Sequence, residues 1–160
     1  SIINKLDEAI SKGWELLKEG KSSELAVIET IKILEDSPLF NAGKGSVFNS
    51  EGKVENDASI MRGVDLNAGA SSGTSNVKNP ITLAADVMNH SKHVFLSGKG
   101  AENFAEERNL DMSRVEMYLN CELHRLRPQH HNLLGDRRVI FAVHQVKFPH
   151  QSPKTPEGDT

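Results

Sequence analysis

The stretch Leu34-Glu-Asp-Ser-Pro-Leu-Phe-Asn-Ala-Gly-Lys-Gly-Ser-Val47 is the most informative part of this sequence. Its first residues close an apolar helical pattern that begins at Ser23, and the segment from Phe40 to Ser46 is punctuated by glycines. Glycine adopts backbone conformations that are closed to other residues, so such a segment can form a tightly shaped loop. We therefore expect the chain to leave a helix through a structured loop.

Two kinds of ion site can be considered for this loop. A phosphate-binding loop has four residues between its glycines and follows a strand, whereas Gly43 and Gly45 are separated by Lys44 alone and follow a helix, so nucleotide binding is disfavoured. Carbonyl groups of a tight loop beside the carboxylates of Glu35 and Asp36 could instead bind a hard cation. An ordinary helix end followed by turn residues explains the same pattern equally well.

Helices and short strands alternate on both sides of the loop. Apolar residues at helical spacing from Ile3 to Leu17 predict an amphipathic helix that covers the helix from Ser23 to Leu34, which is apolar on most sides and should be buried. The turn at 49–52 predicts a hairpin between Val47-Phe48 and the next strand. Further strands are predicted at 54–60, 66–73 and 93–97, the last of them buried, and further helices at 80–88 after an Asn79 N-cap, at 100–108 and at 113–128.

Composition excludes several classes of protein. The chain has 160 residues, a formal charge of −3 and eight aromatic residues, which fits one domain and disfavours a nucleic-acid-binding protein. No stretch approaches the roughly 20 apolar residues of a membrane span. Cys121 is the single cysteine, so no intrachain disulfide can form, and a reducing, cytoplasmic location is expected. Five of the seven histidines follow residue 123, but their spacing matches no zinc signature.

Carboxylates also occur in the first predicted strand. Strand alternation places Glu55 and Asp57 on one face, close in sequence to the glycine loop, and they are candidate partners for a cation there.

Four stretches together resemble a known family. They lie at residues 34–47, 54–63, 77–88 and 93–105, and they are similar in sequence and in order to blocks of the plant-type asparaginases, also called isoaspartyl peptidases, of the N-terminal nucleophile hydrolase superfamily. The resemblance covers roughly residues 3 to 118 and corresponds to the α subunit that this family produces by self-cleavage.

The resemblance implies a fold and a domain division. The fold would be α/β, the α-subunit half of an αββα sandwich with a mainly antiparallel sheet, and its first strand would be missing because no family-like strand and His-Gly-Gly-Ala-Gly loop precede Ser1. Residues 1–128 would form the α-subunit core. Residues 129–160 would form a variable, exposed linker that leads to the self-cleavage junction.

The resemblance also implies an amidohydrolase that acts on L-asparagine and β-aspartyl dipeptides. Asp159-Thr160 resembles the cleavage junction, and Thr160 would become the catalytic nucleophile, with its own freed α-amine as the base. This chain alone would be inactive, because the β subunit of the same precursor completes the site and two αβ units form a dimer. The alternatives are a non-catalytic binding or regulatory module and a truncated, inactive copy of the family.

One more feature carried over from the family is a structural sodium ion. No cofactor is needed for the chemistry itself, and Asn41 would support the nucleophile's surroundings. The ion would be bound by backbone carbonyls, which belong to Leu34, Glu35, Ser37, Phe40, Ala42 and Lys44.

Overall fold

The computed structural model describes residues 1–113, and this part of the chain has an α/β fold. The predicted class is therefore confirmed. The helices are α1 (Ile2–Lys18), α2 (Ser23–Glu35), α3 (Pro80–His90) and α4 (Gly98–Glu107); the strands are β1 (Asn56–Met61), β2 (Ala68–Thr74) and β3 (Phe95–Ser97); a short 3-10 turn, Gly43–Gly45, lies between α2 and β1.

The three strands form a small mixed sheet in the order β1-β2-β3. β1 and β2 are antiparallel, with a register shift between Asn56 and Ala58, and β3 is parallel to β2. The predicted hairpin around residues 49–52 is reduced to one isolated bridge between Phe48 and Val54. The prediction of a buried third strand is wrong, since Phe95 is 53% exposed. Within residues 1–113, only Leu96 of this strand packs against the core, while Phe95 and Ser97 are exposed.

The core of the described region lies where α3 and α4 meet the sheet. Leu83 and Val87 of α3 are fully buried and share one cluster with Ala101 and Ala105 of α4. Gly69 lets the backbone of β2 touch α3, because a Cβ at this position would overlap backbone atoms of Ala84 and Met88. The close contact of strand and helix therefore depends on a residue without a side chain.

α1 packs on α2 through small residues. Ala9, Gly13 and Leu16 are buried, and a Cβ on Gly13 would lie 2.5 Å from the Thr30 hydroxyl of α2. Apart from Leu16, the large apolar residues of α1 are exposed; these are Ile2, Ile3, Leu6, Ile10, Trp14 and Leu17. The prediction that α2 is deeply buried is also wrong, since only Ala26 and Glu35 of that helix are buried.

Several predictions fall outside the described residues. The helix predicted from Ser113 to Pro128, the boundary at 128–129 and the linker to Thr160 all extend beyond residue 113. Within residues 1–113, no helix combines the length and the apolar character that a membrane crossing requires.

Candidate functional site

The loop between α2 and β1 folds back on itself. Gly43 has a φ of +51°, and a Cβ there would lie 2.6 Å from the carbonyl oxygen of Glu35. A Cβ on Gly45 would overlap the carbonyl oxygen of Phe40. Both glycines therefore lie against backbone carbonyls that the family resemblance implies as cation ligands, in spaces that no other residue could occupy without a rearrangement. The predicted shaped loop is confirmed.

The expected ligand carbonyls belong to this one compact loop. The carbonyl of Leu34 accepts a hydrogen bond from the Ser37 N–H, and that of Ala42 accepts one from the Gly45 N–H, both at 3.1 Å. A carbonyl oxygen has two lone pairs, so an oxygen that accepts one hydrogen bond can still contact an ion. Ser37 is buried, whereas the Lys44 side chain is exposed. Neutral oxygens on a backbone shaped by glycine fit a monovalent hard cation.

Asn56 anchors the loop to the sheet. It is 7% exposed, and its Oδ1 accepts hydrogen bonds from the Gly43 N–H at 3.1 Å and from the Ser46 hydroxyl. Its own backbone carbonyl accepts a hydrogen bond from the Thr74 hydroxyl of β2 at 3.2 Å. The sequence analysis missed this residue. The signal was present, since a polar residue between two outward carboxylates must point inward.

Glu35 anchors the other end of the loop to α3. Its side chain is buried, and Oε1 accepts a hydrogen bond at 3.0 Å from the Ile81 N–H. Oε2 is buried and finds no hydrogen-bond partner among the described residues. Burial raises the pKa of Glu35 to about 8, although the hydrogen bond from Ile81 lowers it. The carboxyl group is thus mostly protonated at pH 7.

The neighbouring Asp36 and Asn79 form a second tie between α2 and α3. Asn79 is the N-cap residue of α3 by position, but its side chain makes no capping hydrogen bond. Its Nδ2 donates to Oδ1 of Asp36 at 3.1 Å instead. The predicted N-cap position of Asn79 is therefore confirmed, but its side chain does not cap the helix, and Glu35 of another helix accepts the Ile81 N–H instead.

Asn41 lies on the exposed side of the loop. Its Oδ1 accepts a hydrogen bond from the Val47 N–H at 2.9 Å, which closes the loop between residues 41 and 47. This bond fixes the position of the amide oxygen of Asn41.

The carboxylates of Glu55, which directly precedes β1, and of Asp57 in β1 make their hydrogen bonds outside the cation loop. Glu55 accepts from the amide of Asn49, and Asp57 accepts from the Ser72 hydroxyl and the Gly73 N–H. Both are exposed. Within residues 1–113, no three side chains of His, Cys, Asp or Glu cluster in a way that could hold a metal ion. A cation in the loop would therefore rely on carbonyl oxygens.

The two residues of the expected cleavage junction, Asp159 and Thr160, lie outside the described residues, as does Cys121. The structure thus brings together the expected cation loop and Asn41, and it adds Glu35 and Asn56 as side chains that hold the loop from two directions.

Comparisons with known proteins agree on one family. A family model described as asparaginase matches residues 1–145. The plant-type L-asparaginase of Pyrococcus furiosus is 54% identical over 104 residues, which are 65% of this chain and 34% of that protein. The isoaspartyl peptidase/L-asparaginase of Mus musculus is 47% identical over 108 residues, or 68% of this chain and 33% of the relative.

A bacterial relative gives the same picture. The isoaspartyl peptidase of Escherichia coli is 40% identical over 116 residues, which are 72% of this chain and 36% of that protein. The chain thus spans about a third of the length of the curated relatives that it matches.

Proposed function

Since the chain belongs to the asparaginase family, we propose that it is the α-subunit part of an amidohydrolase that hydrolyses L-asparagine and β-aspartyl dipeptides. The observation that carries the proposal is the loop between α2 and β1. In a chain of this family, it combines glycines pressed against the Glu35 and Phe40 carbonyls with two buried side-chain anchors, Glu35 and Asn56. A loop with such a constrained backbone and buried anchors is typical of a functional site rather than of a simple connection between two elements.

The nucleophile of the proposed reaction is Thr160. In the uncut chain its hydroxyl attacks the carbonyl carbon of Asp159, the peptide C–N bond breaks, and the resulting ester is hydrolysed by water. The products are a carboxylate on Asp159 and a free α-amine on Thr160. That amine then takes the proton of the hydroxyl on the same residue, which makes the oxygen nucleophilic.

The same oxygen then acts on the substrate. It attacks the side-chain carbonyl carbon of L-asparagine, and an acyl-enzyme ester forms as the amide C–N bond breaks. The departing nitrogen takes the proton that the α-amine had removed from the hydroxyl, and leaves as ammonia. Water hydrolyses this ester to aspartate and regenerates the hydroxyl. With a β-aspartyl dipeptide, the leaving group is the amino group of the second residue.

The cation loop would serve this chemistry as a support. The backbone carbonyls of Leu34, Glu35, Ser37, Phe40, Ala42 and Lys44 would hold a sodium ion, which supplies a fixed charge that orders the loop when bound. The chain's own contribution is to keep the loop shaped through Gly43 and Gly45 and to fix the Asn41 amide through the Val47 N–H. On this proposal, Asn41 would support the nucleophile's surroundings.

The β subunit of the same precursor is the proposed partner, and the complete enzyme would be a dimer of αβ units built on an αββα sandwich. The proposal is supported by exposed apolar residues, which another part of the protein would cover. They are Met61 and Val64 at and beyond the end of β1, and Val94 and Phe95 at β3. On this account residues 1–160 alone are inactive.

A direct assay tests the proposal. The complete protein encoded by the gene should release ammonia from L-asparagine and aspartate from a β-aspartyl dipeptide, and Thr160→Ala should abolish both reactions. A folded complete protein that hydrolyses neither compound would overturn the proposal and favour a non-catalytic binding or regulatory module or an inactive copy.

A further inference from the structure

Asn56 links the cation loop to β1 through hydrogen bonds that take no part in amide hydrolysis itself. A single buried oxygen atom, Oδ1, receives both the Gly43 N–H and the Ser46 hydroxyl. These two donors flank the 3-10 turn Gly43–Gly45, so one acceptor on β1 holds the beginning and the end of the turn.

We propose that Asn56 is a positioning residue that sets the ion affinity of the loop by fixing the direction of the Ala42 and Lys44 carbonyls. This inference rests on the proposed function, because it assumes that the loop binds a monovalent cation. Ala42 directly precedes the clamped turn and Lys44 is its middle residue, so neither peptide group can rotate freely while Oδ1 holds Gly43 and Ser46.

The physical reason is that carbonyl oxygens are neutral dipoles which repel one another when they converge. An ion site made only of carbonyls is selective and tight only if the backbone is already arranged before the ion binds. Asn56 is suited to impose that arrangement. It pairs with Thr74 in the β1–β2 ladder, its carbonyl accepts from the Thr74 hydroxyl, and its side chain is buried.

The contact of Gly43 with Glu35 completes the clamp. A Cβ on Gly43 would lie 2.6 Å from the Glu35 carbonyl oxygen, so the peptide that Asn56 holds is in direct contact with a third expected ligand. Loss of the Asn56 acceptor should therefore loosen the relation between the Glu35 carbonyl and the turn as well.

The test uses the complete protein and four variants. Asn56→Leu removes the acceptor at similar size, Asn56→Asp keeps it, and Ser46→Ala removes one of its two donors. Asn103→Leu is the matched control on the exposed side of α4. The melting temperature is measured against the concentration of sodium chloride, with choline chloride keeping the ionic strength constant, and the sodium concentration that gives the half-maximal shift is recorded.

The wild-type melting temperature should rise with sodium. The half-maximal concentration should increase about tenfold in Asn56→Leu and a few-fold in Ser46→Ala, since each lost hydrogen bond weakens the bound arrangement. Asn56→Asp and Asn103→Leu should stay within about twofold of the wild type. If Asn56 had a purely structural role, Asn56→Leu would melt lower than the wild type by the same amount at every sodium concentration. Its half-maximal sodium concentration would then be unchanged.

The outcomes distinguish failure of the proposed function from failure of the role of Asn56. Wild-type protein without any sodium response would contradict the cation loop, whereas asparagine hydrolysis by the same preparation reports on the proposed activity. A sodium-responsive wild type with unchanged half-maximal concentrations in Asn56→Leu and Ser46→Ala would overturn the role of Asn56. If Asn56→Leu does not fold, Ser46→Ala decides, because its hydroxyl is only partly buried.

Discussion

Glu35, the last residue of α2, accepts a hydrogen bond at 3.0 Å from the backbone N–H of Ile81 in the first turn of α3. The two residues are 46 positions apart, yet the carboxyl group serves α3 as an N-terminal cap would. The backbone carbonyl of Glu35 lies against Gly43. One residue therefore fixes both the entry to the cation loop and the start of the most buried helix.

The first prediction concerns the protonation state of Glu35. Burial raises its pKa to about 8, so Gln is the closest substitute for the neutral acid. At about pH 4, where the carboxyl group is mostly protonated in both states, Glu35→Gln should change the free energy of unfolding by less than about 1 kcal/mol, whereas Glu35→Ala should lower it by about 2–3 kcal/mol through the lost cap and the cavity. As the pH rises from about 4.5 to about 8, the wild type should lose stability relative to Glu35→Gln, because the unfolded carboxyl group ionises before the folded one. Urea denaturation at each pH measures these values.

Glu15→Ala, on the exposed side of α1, is the control for Glu35→Ala and should be nearly neutral. Equal destabilisation by the two variants at about pH 4, or a wild type that gains stability relative to Glu35→Gln as the pH rises, would contradict a neutral Glu35.

The second prediction compares two glycines that both have a positive φ. Gly52→Ala should cost only the conformational strain, about 1 kcal/mol, because nothing lies within 4 Å of the added Cβ. Gly43→Ala should cost more, since its Cβ would lie 2.6 Å from the Glu35 carbonyl oxygen. Gly43→Val should distort the loop further and depress self-cleavage and turnover in the complete protein.

Ser37→Ala serves as the control within the same loop. The proposed ligand is the Ser37 backbone carbonyl, and its hydroxyl only accepts a long hydrogen bond of 3.3 Å from the Leu39 N–H. Self-cleavage and turnover should therefore be almost unchanged. Wild-type activity of Gly43→Val, or a large loss in Ser37→Ala, would contradict a loop that acts through its backbone.

The third prediction tests the contact between β2 and α3. Gly69→Ala should lower the free energy of unfolding by more than about 3 kcal/mol, or prevent folding, because the added Cβ would overlap backbone atoms of Ala84 and Met88 that cannot move independently. Gly63→Ala is the control, since it meets nothing within 4 Å. Similar melting temperatures for the two variants would refute the packing described for β2.

The fourth prediction is a pH dependence that Glu102 causes. Burial raises the pKa of Glu102, but hydrogen bonds from Ser75 and Asn76 outweigh that effect and hold it below its usual value. Oε1 accepts the Ser75 N–H at 2.8 Å and the Asn76 N–H at 3.1 Å. A carboxyl group with a lowered folded-state pKa stabilises the fold above its unfolded pKa and loses that effect as the pH falls through the folded one.

Stability should therefore fall as the pH drops below the ordinary carboxyl pKa of 4.5, and Glu102→Gln should reduce this loss while being less stable than the wild type at pH 7. Glu106→Gln, on the exposed side of α4, should keep the wild-type profile. If both variants follow the wild-type curve, the Glu102 hydrogen bonds do not contribute to stability.

Local patterns in the sequence predicted the helices and the loop well. The spacing of apolar residues gave α1 and α2 within a few residues, Asn79-Pro80 marked the start of α3, and the glycines between Phe40 and Ser46 marked the shaped loop. These features depend on interactions between residues that are close in sequence, so local patterns are sufficient to predict them.

Contacts between distant segments could not be predicted in the same way. Apolar spacing pointed to Ile3, Ile10 and Trp14, but α1 meets α2 through Ala9 and Gly13, because small residues allow the two helices to approach. The hydrogen bonds of Glu35 with Ile81 and of Asn56 with Gly43 link separate elements, and no local rule pairs these residues. Only the inward position of Asn56 in its strand hinted at such a role.

The central claim, that this chain is the α part of a self-cleaving amidohydrolase, is tested most directly by intact-mass analysis of the complete protein encoded by the gene. The account predicts two chains, of which the second begins at Thr160, and one uncut chain in Thr160→Ala. A folded wild-type protein that stays uncut, or that is cut at another position, would contradict it.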